Sequence, residues 1–216
     1  MSTRSIKYKS TVAALSAIVM ISIPQTGMAQ DEREGDWKMP DVTAPVEPDQ
    51  GLSTVSPEER AAELMAELAQ AEDANGAERL ERQIYREWSK SGSAAMDLLL
   101  KRGRDAMEVG EVEVALSHLR ALTDHAPDFA EGWHALALAF YQAEQLGPAM
   151  DALERVLALN PDHFGALRGI GAIHEQLGHD GLAFDAYALV IALRPHDESV
   201  QAALDRLAPR VQGVTL

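Results

Sequence analysis

The stretch His174-Glu175-Gln176-Leu177-Gly178-His179 comes nearest to a catalytic signature in this chain of 216 residues. A zinc protease holds its metal with two histidines four apart on one helical face, with a glutamate between them as base. Here the histidines are five apart and Gly178 falls at an expected turn, so no ligand pair is expected. His174 is expected to fill an aromatic packing position instead. Gly169 and Gly171 make a Gly-x-Gly pattern, but no strand precedes it, as a dinucleotide loop requires. Ser89, Ser91 and Ser93 lack the strand-to-helix elbow that exposes a nucleophilic serine, and Ser93 reads as a helix cap. His118, His125, His163, His179 and His196 are scattered, with no pair at ligand spacing on one face. The expectation is therefore no catalytic residue, no metal and no cofactor.

What does recur is punctuation. Pro127, Pro161 and Pro195 stand 34 residues apart, each after a long helix-forming run. Aligning 96–129, 130–163 and 164–197 by these prolines brings like residues into columns. Leu99, Trp133 and Leu167 share one column. Gly103, Ala137 and Gly171 share a second, and Ala115, Ala149 and Ala183 a third. Small residues on facing helices let two backbones approach, and larger neighbours interlock around them. Gly110 and Gly178 break their units midway, where a turn between antiparallel helices is needed. The proline ends the second helix of each unit. Alternating apolar and polar runs are missing, so the expected fold is all-α.

The 34-residue unit resembles the tetratricopeptide repeat, whose signature is large apolar, small and aromatic residues at set offsets, closed by a proline. Trp133, Leu136, Ala137, Phe140, Ala149 and Pro161 match in the central unit; Ile170, Gly171, Ala183, Tyr187 and Pro195 match in the last. Gly103, Ala115 and Pro127 match in the first, which departs at Arg102 and Ala106. One period earlier, Met65, Leu68, Ala69, Gly76 and Tyr85 fall in corresponding columns, so 57–95 is expected to be a degenerate hairpin capping the stack. Ser56, Pro57 and Glu59 supply a capping box for its first helix. Val200, Leu204 and Leu207 share one face, so 198–216 is expected to be a closing helix and tail. The resemblance thus implies an all-α solenoid of helical hairpins: one degenerate, three clear, and a C-terminal capping helix.

Residues 1–29 have the layout of a secretory signal peptide: a basic start at Arg4, Lys7 and Lys9, an apolar run, and Gly27-Met28-Ala29. Cleavage there leaves Gln30 first, with 34 acidic against 16 basic side chains and a net charge of −18. That charge repels nucleic acid and anionic membranes. The apolar run is too short for a span of roughly 20 residues, so no membrane span is expected after cleavage. There is no cysteine, so a core alone must hold the exported chain. Residues 30–56 are acidic and carry Pro40, Pro45 and Pro48 without apolar period, the composition of a disordered linker.

In the family the first helices of successive hairpins line a concave groove that holds a peptide or a partner's helix. Carried onto this chain, the groove residues are Leu100, Arg104 and Met107; His134, Leu138 and Tyr141; and Arg168 and Glu175. The apolar members offer contact, and the two arginines offer forks for carboxylates. Asparagine is absent from the first helices, and Ala66, Leu100 and Ala135 stand near positions where some family members clamp chaperone tails, so that use is not expected. The expected function is an exported, non-catalytic adaptor, periplasmic or alternatively secreted, that binds another envelope or secreted protein. The alternative is a self-associating envelope scaffold.

Overall fold

Ser56 caps the first helix in the manner its sequence requires. Its hydroxyl accepts from the Glu59 N–H at 3.1 Å, and the Glu59 carboxylate accepts from the Ser56 N–H at 2.9 Å. In this computed structural model residues 55–211 and Gly213 are described; the expected leader at 1–29, and all but the last two residues of the expected linker, lie outside them. Among the described residues every regular element is α-helical. The order is α1 (Pro57–Leu68), α2 (Ala74–Trp88), α3 (Ala94–Glu108), α4 (Val112–His125), α5 (Ala130–Gln142), α6 (Leu146–Leu159), α7 (Phe164–Gln176), α8 (Asp180–Leu193) and α9 (Glu198–Val211).

Helices α3 to α8 form three antiparallel hairpins. The small-residue columns bring their helices together. A Cβ on Gly103 would lie 2.5 Å from the Leu119 side chain, and one on Gly171 would lie 2.5 Å from the Tyr187 ring. Ala115, Ala149 and Ala183 are completely buried, and Ala137 nearly so. Trp133 is half-buried, its indole N–H donating to the Pro127 carbonyl at 2.9 Å, so the column residue also ties one unit's end to the next. Each hairpin turn needs one left-handed residue. Gly110 and Gly178 take φ of 77° and 75°, while Glu144 fills the same column at 59°. Successive hairpins stack through α4 on α5 and α6 on α7, and α5 lies beside both α3 and α7. Helix α9 closes the array on α8 with Val200, Ala203, Leu204 and Leu207 buried.

The first hairpin departs from the repeat. Its turn lies at 69–73, capped by Asp73, and Gly76 sits inside the first turn of α2 rather than at the bend. It does not cap the stack beside α3 as the repeat columns imply. It lies against the array, and long side chains bridge a gap between backbones that never approach as stacked neighbours do. Phe164 at the start of α7 is fully buried and completes the hairpin's core of Leu64, Leu68, Ala77 and Ile84. The physical reason is surface chemistry. Tyr85 and Trp88 lie one turn apart and need apolar cover, which His163 and Phe164 provide across the array's face.

Candidate functional site

The face formed by the first helices α3, α5 and α7 carries one deeply buried charge. Glu131, in the first turn of α5, is 1% exposed. An unpaired carboxylate there would be strongly disfavoured. Three partners, from α3, α5 and the N-cap of α7, compensate it. The Arg104 guanidinium from α3 donates to Glu131 Oε1 and forms an ion pair with it. His134 Nδ1 lies 3.4 Å from the same oxygen, and His163 Nε2 lies 3.0 Å from Oε2. His163 is the N-cap of α7, where its Nδ1 accepts from the Ala166 N–H at 3.1 Å. That bond assigns the proton to Nε2, which donates to Glu131. Burial alone would raise the Glu131 carboxyl, but the charge and hydrogen bonds of His134 and His163 hold it well below the usual carboxylate range. Burial also pushes His163 down, against the opposing hydrogen bond from Glu131.

Glu131, His134 and His163 offer donor atoms within 4.8 Å of one another, a grouping no sequence spacing signalled. The arrangement suits an ion-pair knot better than a metal. For Nε2 of His163 to ligate a cation, its proton would have to move to Nδ1 and face the Ala166 N–H. The Arg104 guanidinium would also lie against that cation. His174 and His179 likewise meet despite their five-residue spacing, with Nδ1 atoms 3.4 Å apart across the Gly178 turn. The scattered histidines of the sequence are thus partly gathered by the fold.

The expected groove residues separate into two groups. Leu138, Tyr141 and Arg168 are exposed and, with His134, Tyr85 and Ala172, line a cavity of roughly 310 Å³. Arg168 forms no ion pair among the described residues. The others are engaged elsewhere. Leu100 is 2% exposed and belongs to the core that Ala135, Leu136 and Ala139 of α5 complete, a correction to its placement in the groove. Met107 is half-buried against that same core. Arg104 is committed to Glu131 and, through Nη1, to the Ser89 hydroxyl at 3.0 Å. Glu175 accepts from the Tyr187 hydroxyl at 3.2 Å and from Arg206 at 2.6 Å. His134 is buried, its ring stacked 6.2 Å from that of Tyr85.

Residues that were not expected in the groove make up the rest of the face. Tyr85 sits where a side chain at Gly165 would otherwise be, its hydroxyl 2.5 Å from that Cβ position. Trp88 stacks on His163 at 4.3 Å between ring centres. Arg194 binds the Glu81 carboxylate, with Nε donating at 2.8 Å, and lies 4.7 Å over the Phe164 ring. His196 Nε2 lies 2.8 Å from the Ala71 carbonyl. The available signal was the apolar stripe of α2, whose Tyr85 and Trp88 have no work inside a free-standing two-helix hairpin.

A stack of helical hairpins whose first helices line a common face defines a class, the hairpin solenoids that bind segments of other chains. The tetratricopeptide repeat model matches residues 100–151 and 135–198. A TPR repeat-containing protein of Rhizobium etli is 31% identical over 165 residues, covering 76% of this chain and 81% of that protein. The chain belongs to the tetratricopeptide repeat family. Among solved structures it is similar to the first TPR of Spaghetti (RPAP3) bound to the HSP90 peptide SRMEEVD. That match has a TM-score of 0.53 and 19% identity, covering 56% of this chain and 95% of that one. It is also similar to MamA, with a TM-score of 0.51 and 23% identity over 73% of this chain and 84% of that one. At these identities the likeness is one of fold.

Proposed function

We propose that the protein is an exported, non-catalytic adaptor that holds a segment of another envelope protein in the groove between α5 and α7. The observation that carries this reading is the exposure of Leu138 and Tyr141, 44% and 41%, on the face that otherwise buries its apolar groups. Two such side chains beside Arg168 suit a segment that is apolar with a carboxylate close by. The Spaghetti domain, which shares the fold, holds a peptide with two adjacent glutamates, which makes an acidic segment a reasonable class of ligand for such a stack. Export rests on the basic start, apolar run and small-residue triplet before Gln30, and the periplasm is the compartment proposed.

The test is capture from envelope extracts with wild-type protein and with Leu138→Asp/Tyr141→Asp. Both side chains are exposed, so the variant keeps its helicity. A protein retained by the wild type and lost from the variant supports the groove. Identical capture by both removes it from the mechanism.

A further inference from the structure

Helix α2 lies on the face that the proposed function assigns to a partner. It does so as an occupant and not as a member of the stack. Three of its residues, four and three apart, point at the array: Glu81 to Arg194, Tyr85 into the space over Gly165 and against His134, and Trp88 onto His163 and Phe164. Ser89 then receives Arg104. The fit has the properties of an exchangeable contact. The backbones stand apart and long side chains bridge them. Open cavities flank the helix, roughly 370 Å³ where Ala61 and Met65 face Phe129 and Pro161, and roughly 310 Å³ between Tyr85 and Tyr141. Both clefts open to solvent, so water borders the contact on either side, as it does in transient domain contacts. A short connection, 89–93, joins the hairpin to α3, with Gly92 at a φ of 77°.

We propose that this surface is the docking site for an amphipathic helix of a partner protein. That helix carries an acidic residue and two aromatic residues at i, i+4 and i+7 on one face, and α2 fills the site until the partner displaces it. The charge pattern selects the occupant. Arg194 lies over the Phe164 ring with Nη1 2.9 Å from Asp197, so the site presents Nε and Nη2 above an apolar floor and takes one further carboxylate, now that of Glu81, at one end. His163, His134 and Gly165 take flat rings at the other end. The inference rests on the groove reading above and narrows its partner to a helix.

The test uses the chain from Gln30 to Leu216 and a fluorescent peptide spanning residues 73–92. In the wild type the tethered α2 competes, so the peptide binds weakly. In Tyr85→Ala/Trp88→Ala, which weakens the hold of the occupant and leaves the docking residues His134, His163, Gly165 and Arg194 in place, it binds at least tenfold tighter, and a peptide carrying the same two alanines does not bind. Equal affinity for both chains, or no binding to either, overturns the proposal. Hydrogen exchange on the wild type needs no variant. Millimolar peptide speeds exchange of the amides in 74–88 and slows it in α5 and α7; unchanged exchange overturns the proposal equally. Peptide-dependent dimerisation seen by light scattering would assign the surface to a second copy and also overturn it. Failure here, with capture still lost in Leu138→Asp/Tyr141→Asp, leaves the open groove standing and removes only the helix site.

Discussion

Glu144 occupies a backbone conformation that its two counterparts, Gly110 and Gly178, adopt without a side chain. A left-handed φ costs an ordinary L-residue roughly 1–2 kcal/mol. Glu144→Gly should therefore stabilise the chain by up to about 1 kcal/mol, read as a higher urea midpoint at unchanged slope, the gain reduced by glycine's extra unfolded-state entropy. Glu144→Ala keeps the strain and should stay within about 0.5 kcal/mol. Ala149 offers the opposite case. It is fully buried in the core with Leu153 and Val156, so Ala149→Leu should cost roughly 1–3 kcal/mol through overpacking. Equal midpoints for Ala149→Leu and Glu144→Ala would show that this column does not hold the hairpin. The buried carboxylate is a third case. Glu131→Gln preserves shape but removes the charge facing Arg104, and hydrogen bonds to charged groups are each worth about 1.5–3 kcal/mol.

At the scale of elements, the knot around Glu131 joins α3, α5 and the N-cap of α7 beneath α2. Its titration gives the assembly a pH dependence of definite sign. His163 has its folded pKa depressed by burial, so the unfolded chain binds protons more readily as pH falls through the ordinary histidine value of about 6.5. Glu131 is also depressed and adds a second loss below about 4.5. Stability should be level between about pH 7 and 9, decline from about 6.5 downward and fall again below 4.5. His163→Gln should flatten the first decline while leaving the second. A urea midpoint that rises between pH 7 and 5 would reverse the sign assigned to His163. The other charged and titratable groups around these two, Arg104, His134 and Tyr85, come from α3, α5 and α2, so the profile reports on the joined elements.

For the whole molecule, the charge is uneven. Residues 30–75 hold 13 acidic and 3 basic side chains, while the groove face carries Arg168, which pairs with no carboxylate among the described residues; Arg104 and Arg194 are already held by Glu131 and Glu81. A local basic site on an acidic protein favours encounter with acidic segments, and screening by salt should weaken it. Partner capture should therefore fall between low salt and 0.5 M salt, and fall less for a partner retained only by apolar contact. Export belongs to this scale as well. N-terminal sequencing of protein from its native host should begin at Gln30, and a retained Met1 on cytoplasmic protein would end the periplasmic reading.

The repeat and its packing were legible in the sequence because they depend on neighbours at fixed offsets. A proline every 34 residues, small residues at Gly103, Ala149 and Gly171, and glycines at two of three turns are local requirements that any hairpin of this kind must meet. Glu144 stands in the same column, but its left-handed φ of 59° was shown by the structure and not by the sequence. Leu138, Tyr141 and Arg168 could be placed on one face for the same reason, since helical period alone carries them there. Only the tertiary structure decided what covers that face. Glu81 meets Arg194 from 113 residues away, and His163 meets Glu131 from 32, with no periodic signal linking either pair. Leu100 fell into the core because α5 completes the cluster around it. The first hairpin kept its apolar stripe yet left the stack, because its aromatic residues gain more from rings and an open glycine on the array's face than a repeat lacking its small-residue contacts offers at the end.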